Sequence, residues 1–159
     1  MSIFRELGVR EGKGRGPEEL LYNLASSYIL IERQIEKTLE PFGLSPVKMN
    51  TLLIIKHVGK SKGLSQVEIG RRMIVSAGNI TRLIDRLERE DFVERTTTAD
   101  RRVKLIRITE KGSRLLDKAW PHYKREVNGI ASAIPDEKIT EIVKTLEKLR
   151  QTLKGSERC

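Results

Sequence analysis

The run Leu64-Ser65-Gln66-Val67-Glu68-Ile69-Gly70, followed from Ser76 by Ser76-Ala77-Gly78-Asn79-Ile80-Thr81-Arg82-Leu83-Ile84-Asp85-Arg86-Leu87, decides the fold. Ser65 and Glu68 have the spacing of a capping box, in which a hydroxyl and a carboxylate three residues apart satisfy each other's free backbone donors. Ile69 and Met73 give this short helix an inner face. Residues 74–78 form a tight connection, with Ser76 as the next N-cap. Ile80, Leu83, Ile84 and Leu87 then recur at i, i+3, i+4 and i+7, one apolar stripe on a second helix. Its other side carries Asn79, Arg82, Arg86 and Arg89. A capped helix, a tight turn and a second helix that is apolar inside and arginine-rich outside make a helix-turn-helix.

Downstream lie two strand-like runs, Phe92–Thr96 and Val103–Ile108. Thr97-Thr98-Ala99-Asp100-Arg101-Arg102 joins them as a hairpin with a basic tip. Thr109 caps a further helix through Leu115, Leu116, Ala119 and Trp120, with a kink expected at Pro121. A last helix follows Pro135 with Ile139, Ile142, Val143, Leu146, Leu149 and Leu153 on one face. Upstream, Ser45-Pro46 opens a buried central helix to about Val58, and Leu64 is placed to pair briefly with a later strand. Before it, a long helix starts at Pro17, carries a stripe of Leu21, Leu24, Tyr28, Ile31, Ile35 and Leu39, and ends at Pro41 and Gly43. Glu11–Gly16 is a Gly-rich, charged lead-in. The predicted class is mainly α with a small β-hairpin wing: a winged helix-turn-helix over 45–109, flanked by long apolar helices, in a single domain spanning 1–159.

The second helix of the pair has the chemistry of a major-groove reader. Ser76, Ala77, Gly78 and Asn79 start it, where such helices enter the groove. Ala77 and Gly78 are small enough for close backbone approach. Asn79 suits adenine, and Arg82 suits guanine or a phosphate. The alternative is an ordinary surface helix with ion pairs such as Arg82 with Asp85 and Arg86 with Glu90. At the hairpin tip, Arg101 and Arg102 are placed for a minor groove, whose potential favours arginine, with Asp100 as a brace. Its alternative is a solvated turn with an internal ion pair. Ser65 and Gln66, opening the first helix, complete the candidate DNA-contacting set.

Charge supports a polyanion partner. Lys and Arg number 31 against 22 Asp and Glu, a net +9. Residues 56–114 hold 15 of the basic and 8 of the acidic residues, so the excess sits in the helix-turn-helix and wing. A local basic surface is the footprint of phosphate binding. Aromatics at 4% argue against a stacking platform for single strands. His57 and His122 are the only histidines, lack the i, i+4 pairing of a metal site, and no nucleophile-base group accompanies them. The expectation is therefore no enzyme, no metal and no cofactor. The one cysteine, Cys159, permits no internal disulfide, which suits a reducing cytosol. Residues 1–10 do not read as a signal peptide, and no run suits a membrane span. The expected location is the cytoplasm.

Residues 45–112 resemble the multiple-antibiotic-resistance regulator (MarR) family of winged-helix transcription factors. The matching stretches are Leu64–Gly70, Ile80–Glu88, Val93-Glu94-Arg95 and, most diagnostic, Asp100-Arg101-Arg102-Val103-Lys104-Leu105-Ile106-Arg107-Ile108-Thr109-Glu110-Lys111-Gly112. The last looks like the family's wing signature: Asp, any residue, Arg, a strand, then Thr opening a helix. The resemblance implies a homodimer built from the terminal helices, here 17–40 and 110–153. It implies a pseudo-palindromic double-stranded DNA operator with half-sites about 34 Å apart. It also makes Arg102 the minor-groove arginine, Asp100 its orienter, Thr81 and Arg82 groove or phosphate contacts, and Arg86 a phosphate contact or a brace. Family members commonly repress transcription and release DNA when a small-molecule effector enters a pocket between the dimer helices and the winged region. Oxidant-sensing relatives use a cysteine near the N-terminus, which this chain lacks. A non-specific architectural DNA-binding protein is the alternative function, separated by the ratio of specific to non-specific affinity.

Overall fold

A computed structural model describes residues 3–6, 8, 16–73, 80–97 and 104–156. The chain divides into two compact units, Met1–Lys124 and Arg125–Cys159.

In the first unit, a four-residue turn of helix, α1 (Ile3–Glu6), precedes α2 (Gly16–Leu39). Helix α2 starts at Gly16, one residue before the Pro17 start expected; Pro17 lies in its first turn, where a missing N–H is no loss, and Glu18 and Glu19 complement the positive helix start. A 3₁₀ turn, Glu40–Phe42, with Pro41 inside it, ends the helix. Gly43 closes it at φ +65°, donating its N–H to the Glu40 carbonyl at 2.8 Å. Ser45 caps α3 (Pro46–Ile54) by accepting the Lys48 N–H at 3.3 Å. The single helix expected to Val58 is not formed. Beyond Ile54 the chain widens into a π-helical turn, Ile55–Gly59, with Ile55 and Gly59 buried. A Cβ on Gly59 would lie 3.2 Å from the Leu64 side chain, so the turn closes directly on the sheet.

The sheet has three antiparallel strands in the order β1 (Leu64–Ser65), β3 (Lys104–Ile108), β2 (Val93–Thr97). Leu64 pairs with Ile106, the brief pairing expected of it, and Val93 pairs with Ile108. Between β1 and β2 come α4 (Gln66–Arg72) and α5 (Ile80–Arg89). The core cluster contains thirteen residues from Leu39 to Ala119, all within the first unit. Each buried Leu or Ile contributes about 1.5–3 kcal/mol, so the winged region carries its own stabilisation.

Helix α6 (Glu110–Ala131) begins against the end of α5. Thr109 caps it, accepting the Gly112 N–H at 3.0 Å while donating its hydroxyl to the Asp91 carbonyl at 2.7 Å. Gly112 is compulsory there, since an added Cβ would meet the Phe92 carbonyl oxygen at 2.2 Å. Helix α6 continues through Pro121 to Ala131, although proline removes one helical hydrogen bond. The second unit holds the end of α6 and then α7 (Asp136–Ser156), with Asp136 and Glu137 in its first turn. On α7, Ile142, Val143 and Leu153 are exposed, whereas Ile139, Leu146 and Leu149 are half-buried.

Candidate nucleic-acid interface

At the start of α4 the capping box is complete. Ser65 Oγ accepts the Glu68 N–H at 3.3 Å, and Glu68 Oε2 accepts the Ser65 N–H at 2.9 Å and its hydroxyl at 2.8 Å. The Ser65 backbone N–H, then its hydroxyl, hold the Glu68 carboxyl below its ordinary value. The Ser65 hydroxyl is therefore engaged in capping. Gln66 donates its side-chain N–H to the Thr81 hydroxyl. Two residues chosen separately from the sequence thus lock α4 to α5.

Helix α5 buries Ile84 and Leu87 and exposes Thr81, Arg82, Arg86 and Arg89. The pair of Arg82 with Asp85 that the ordinary-surface-helix alternative offered is not made. Asp85 turns instead to Arg95 on β2, whose guanidinium also bonds Glu88. Burial opposes the Arg95 charge, but the Asp85 and Glu88 carboxylates outweigh it and raise its pKa further. Arg95 braces the strand against the helix flank and occupies both acids. Arg82 is left exposed without an ion-pair partner among the described residues. That is the condition a phosphate or base contact requires.

Arg86 does form its expected pair, Nε to Glu90 Oε1 at 3.1 Å, with 63% of its side chain exposed. Glu90 is a hub. Lys48, only 6% exposed, donates to both its oxygens at 2.8 and 2.7 Å and to the Gly43 carbonyl at 3.2 Å. Burial pushes the Glu90 carboxyl up, but the hydrogen bonds from Lys48 and Arg86 outweigh it and hold it below its ordinary value. Lys111 donates to the Glu90 carbonyl at 2.7 Å and lies over the Phe92 ring. The far end of α5 is thereby pinned to α3 and α6. Ser76, Ala77, Gly78 and Asn79, and Asp100, Arg101 and Arg102 at the wing tip, lie outside the described residues, as does Cys159. The wing stem is in place up to Thr97 paired with Lys104.

A second feature of the first unit is an apolar cavity of about 210 Å³ between α2 and α3, closed on one side by Tyr123 of α6. The histidines do not meet at a reactive centre: His57 is exposed on the π turn, and the His122 ring packs on Phe42 at 5.1 Å between centroids.

A profile of the MarR family matches residues 44–104. Over 95 residues the chain is 32% identical to the HTH-type transcriptional regulator YwoH of Bacillus subtilis, covering 60% of this chain and 67% of that one. The chain belongs to the MarR family. It is also 28% identical over 132 residues to the HTH-type transcriptional regulator MhqR of Bacillus subtilis, covering 82% of this chain and 89% of that one. The solved structure of CouR from Rhodococcus jostii RHA1 bound to p-coumaroyl-CoA is similar at a TM-score of 0.69 and 26% identity, over 82% of this chain and 90% of that one.

As a MarR-family chain it is a helix-turn-helix transcription regulator with the winged-helix fold of that family, and its matched relatives are regulators rather than enzymes. Among the described residues, no helix is long and apolar enough to cross a membrane. Sequence reasoning missed three residues that set the interface: Arg95, Lys48 and Glu90 as a hub. Only the local i, i+4 pair of Arg86 with Glu90 was visible. The carboxylate contacts of Arg95 and Lys48 join residues 7 to 42 positions apart, which periodicity along one element does not place.

Proposed function

We propose that this MarR-family chain is a homodimeric repressor that binds a pseudo-palindromic double-stranded operator and leaves it when a small-molecule effector binds. It acts in the cytoplasm of a prokaryote, at the nucleoid. The observation that carries the reading is the outward face of α5: Thr81 and Arg82 exposed on a helix whose inner face is fixed in the core, with Arg82 free of protein partners among the described residues. Arg82 is assigned to a phosphate or base edge, Thr81 and Gln66 to the groove wall, and Ser65 to the helix cap at the backbone. Ser76, Ala77, Gly78 and Asn79 enter the groove, Arg101 and Arg102 reach the minor groove, and Asp100 orients Arg102. Arg86 braces Glu90 and is within reach of a phosphate on the same face.

The homodimer is supported by apolar surface left without cover. On α2, Leu21 is 60% exposed and Leu30 61%, with Leu20 and Ile29 also exposed. Soluble monomers avoid contiguous patches of this kind. Helices 17–40 and 110–153 are assigned to dimerisation, and 45–109 to DNA binding. The cavity between α2 and α3 supports the effector, placed where dimer helix meets winged region within one unit.

Fluorescence anisotropy on a labelled duplex from upstream of the protein's own gene tests the reading. A scrambled duplex competes, across a salt series. The expected result is a preference of about a thousandfold or more with a steep salt slope. Equal affinity for both duplexes would point to a non-specific coater instead. Arg102→Ala is expected to weaken operator binding while leaving the dimer intact, and unchanged affinity removes the wing from the mechanism.

A further inference from the structure

The cavity between α2 and α3 has an unusual electrostatic make-up for its size. Ile35, Leu39, Val47 and Leu53 give it an apolar wall. Its one carboxylic acid is Glu32, and no lysine, arginine or histidine is among its lining residues. Glu32 Oε1 accepts the Tyr28 hydroxyl at 3.2 Å, and the carboxylate has no cationic partner among the described residues. Tyr28 and Tyr123 add two aromatic rings to the lining. A carboxylate and aromatic rings beside an apolar wall, in a pocket open to solvent at Tyr28, attract a cation by charge and by ring quadrupole. The same set repels a carboxylate ligand, since none of the lining side chains can neutralise a second negative charge.

We infer that this cavity is the effector site and that it selects a small hydrophobic cation, an aromatic amine or quaternary ammonium, over neutral or anionic aromatics. This rests on the effector-released reading above and names the class of molecule that would do the releasing. The ammonium sits against the free oxygen of Glu32, and the apolar body fills the space between α2 and α3. About 210 Å³ admits a molecule with one aromatic ring and a compact head group.

Three ligands of similar shape separate charge from fit. Trimethylphenylammonium, its uncharged carbon analogue tert-butylbenzene, and benzoate are each measured by equilibrium dialysis against the full-length protein and against Glu32→Gln. The cation is expected to bind about tenfold or more tighter than tert-butylbenzene, with benzoate weakest. Glu32→Gln should bring the cation down to the neutral compound's level while leaving tert-butylbenzene unchanged. Equal binding of cation and neutral analogue by the wild type overturns the inference. So does tighter binding of benzoate, a cation preference that survives Glu32→Gln, or no binding of any of the three. Operator preference on the same preparation is read separately by anisotropy. Its absence sinks the regulator reading, whereas intact operator binding with a wrong charge order sinks only the ligand class.

Discussion

Helices α2 and α5 are both amphipathic by sequence, yet the structure uses them in opposite ways. In α5 the apolar stripe is consumed inside, with Ile84 and Leu87 fully buried, and what remains outside is hydroxyl and guanidinium. In α2 the stripe is consumed at its C-terminal end and, in part, at half-buried Leu24. Leu39 is buried and Ile35 half-buried against the core, while Leu21, Tyr28 and Ile31 stay exposed, together with Leu20, Tyr22, Ile29 and Leu30 off the stripe. Instead of the single stripe expected, α2 is thus apolar on more than one side from Leu20 to Ile31. What a helix leaves uncovered bears on the chemistry of its next partner. On the function proposed above, α5 faces a polyanion and α2 another apolar surface.

The largest effect is expected from attacking the α2 surface. Leu21→Glu with Leu30→Glu should convert a dimer to a monomer in sedimentation and lower operator affinity by about a hundredfold or more, because two linked half-site contacts become one. A dimer that persists would break the contrast, leaving α2 with no partner to explain its surface. Next is Gly112→Ala, which forces a Cβ onto the Phe92 carbonyl and separates α6 from the end of α5. It should lower unfolding stability by about 3 kcal/mol in chemical denaturation. A neutral result would mean that α5 does not depend on this junction.

On the α5 surface, Arg82→Ala should weaken operator binding by about tenfold without altering sedimentation. A fall of about one in the salt slope would assign Arg82 to phosphate, and an unchanged slope with relaxed base preference would assign it to a base edge. An altered oligomer would blur the contrast instead. The smallest effect is Glu90→Gln. Glu90 is 30% exposed, so about 1–2 kcal/mol is expected rather than the value for a fully buried pair. The folded Glu90 pKa lies below the unfolded one. Its stabilisation is therefore fully present above the unfolded value and is lost as pH falls through the folded value. The difference between wild type and Glu90→Gln should hold above about pH 5 and shrink below about pH 4. A gap that widens in acid would contradict the lowered pKa.

Much of the fold was legible because its determinants are local. The Ser65–Glu68 box, the Ser45-Pro46 start, the Pro41-Gly43 stop and the Leu64 pairing all appear where short-range chemistry placed them. The π turn at Ile55–Gly59 was not legible, because a continuous apolar run is equally compatible with an uninterrupted helix. At the interface, the sequence offered Gln66 and Thr81 as separate candidates but carried no sign that they bond each other. It offered Asp85 as a partner for Arg82 by spacing alone, whereas packing brings Arg95 closer from a strand. Side-chain pairing across elements depends on tertiary placement, which periodicity does not encode.

The double grip of Lys48 on Glu90 bears on what Arg86 is free to do. Arg86 holds one oxygen of that carboxylate, and Lys48 holds both. When Arg86 turns toward a passing phosphate, Glu90 keeps its counter-charge, so no bare anion is stranded in a half-buried site. Arg86 is a detachable hand on a carboxylate that another cation keeps hold of. If α5 is the DNA-facing helix proposed above, Arg86 can take up a phosphate without loosening the joint between α3 and α5.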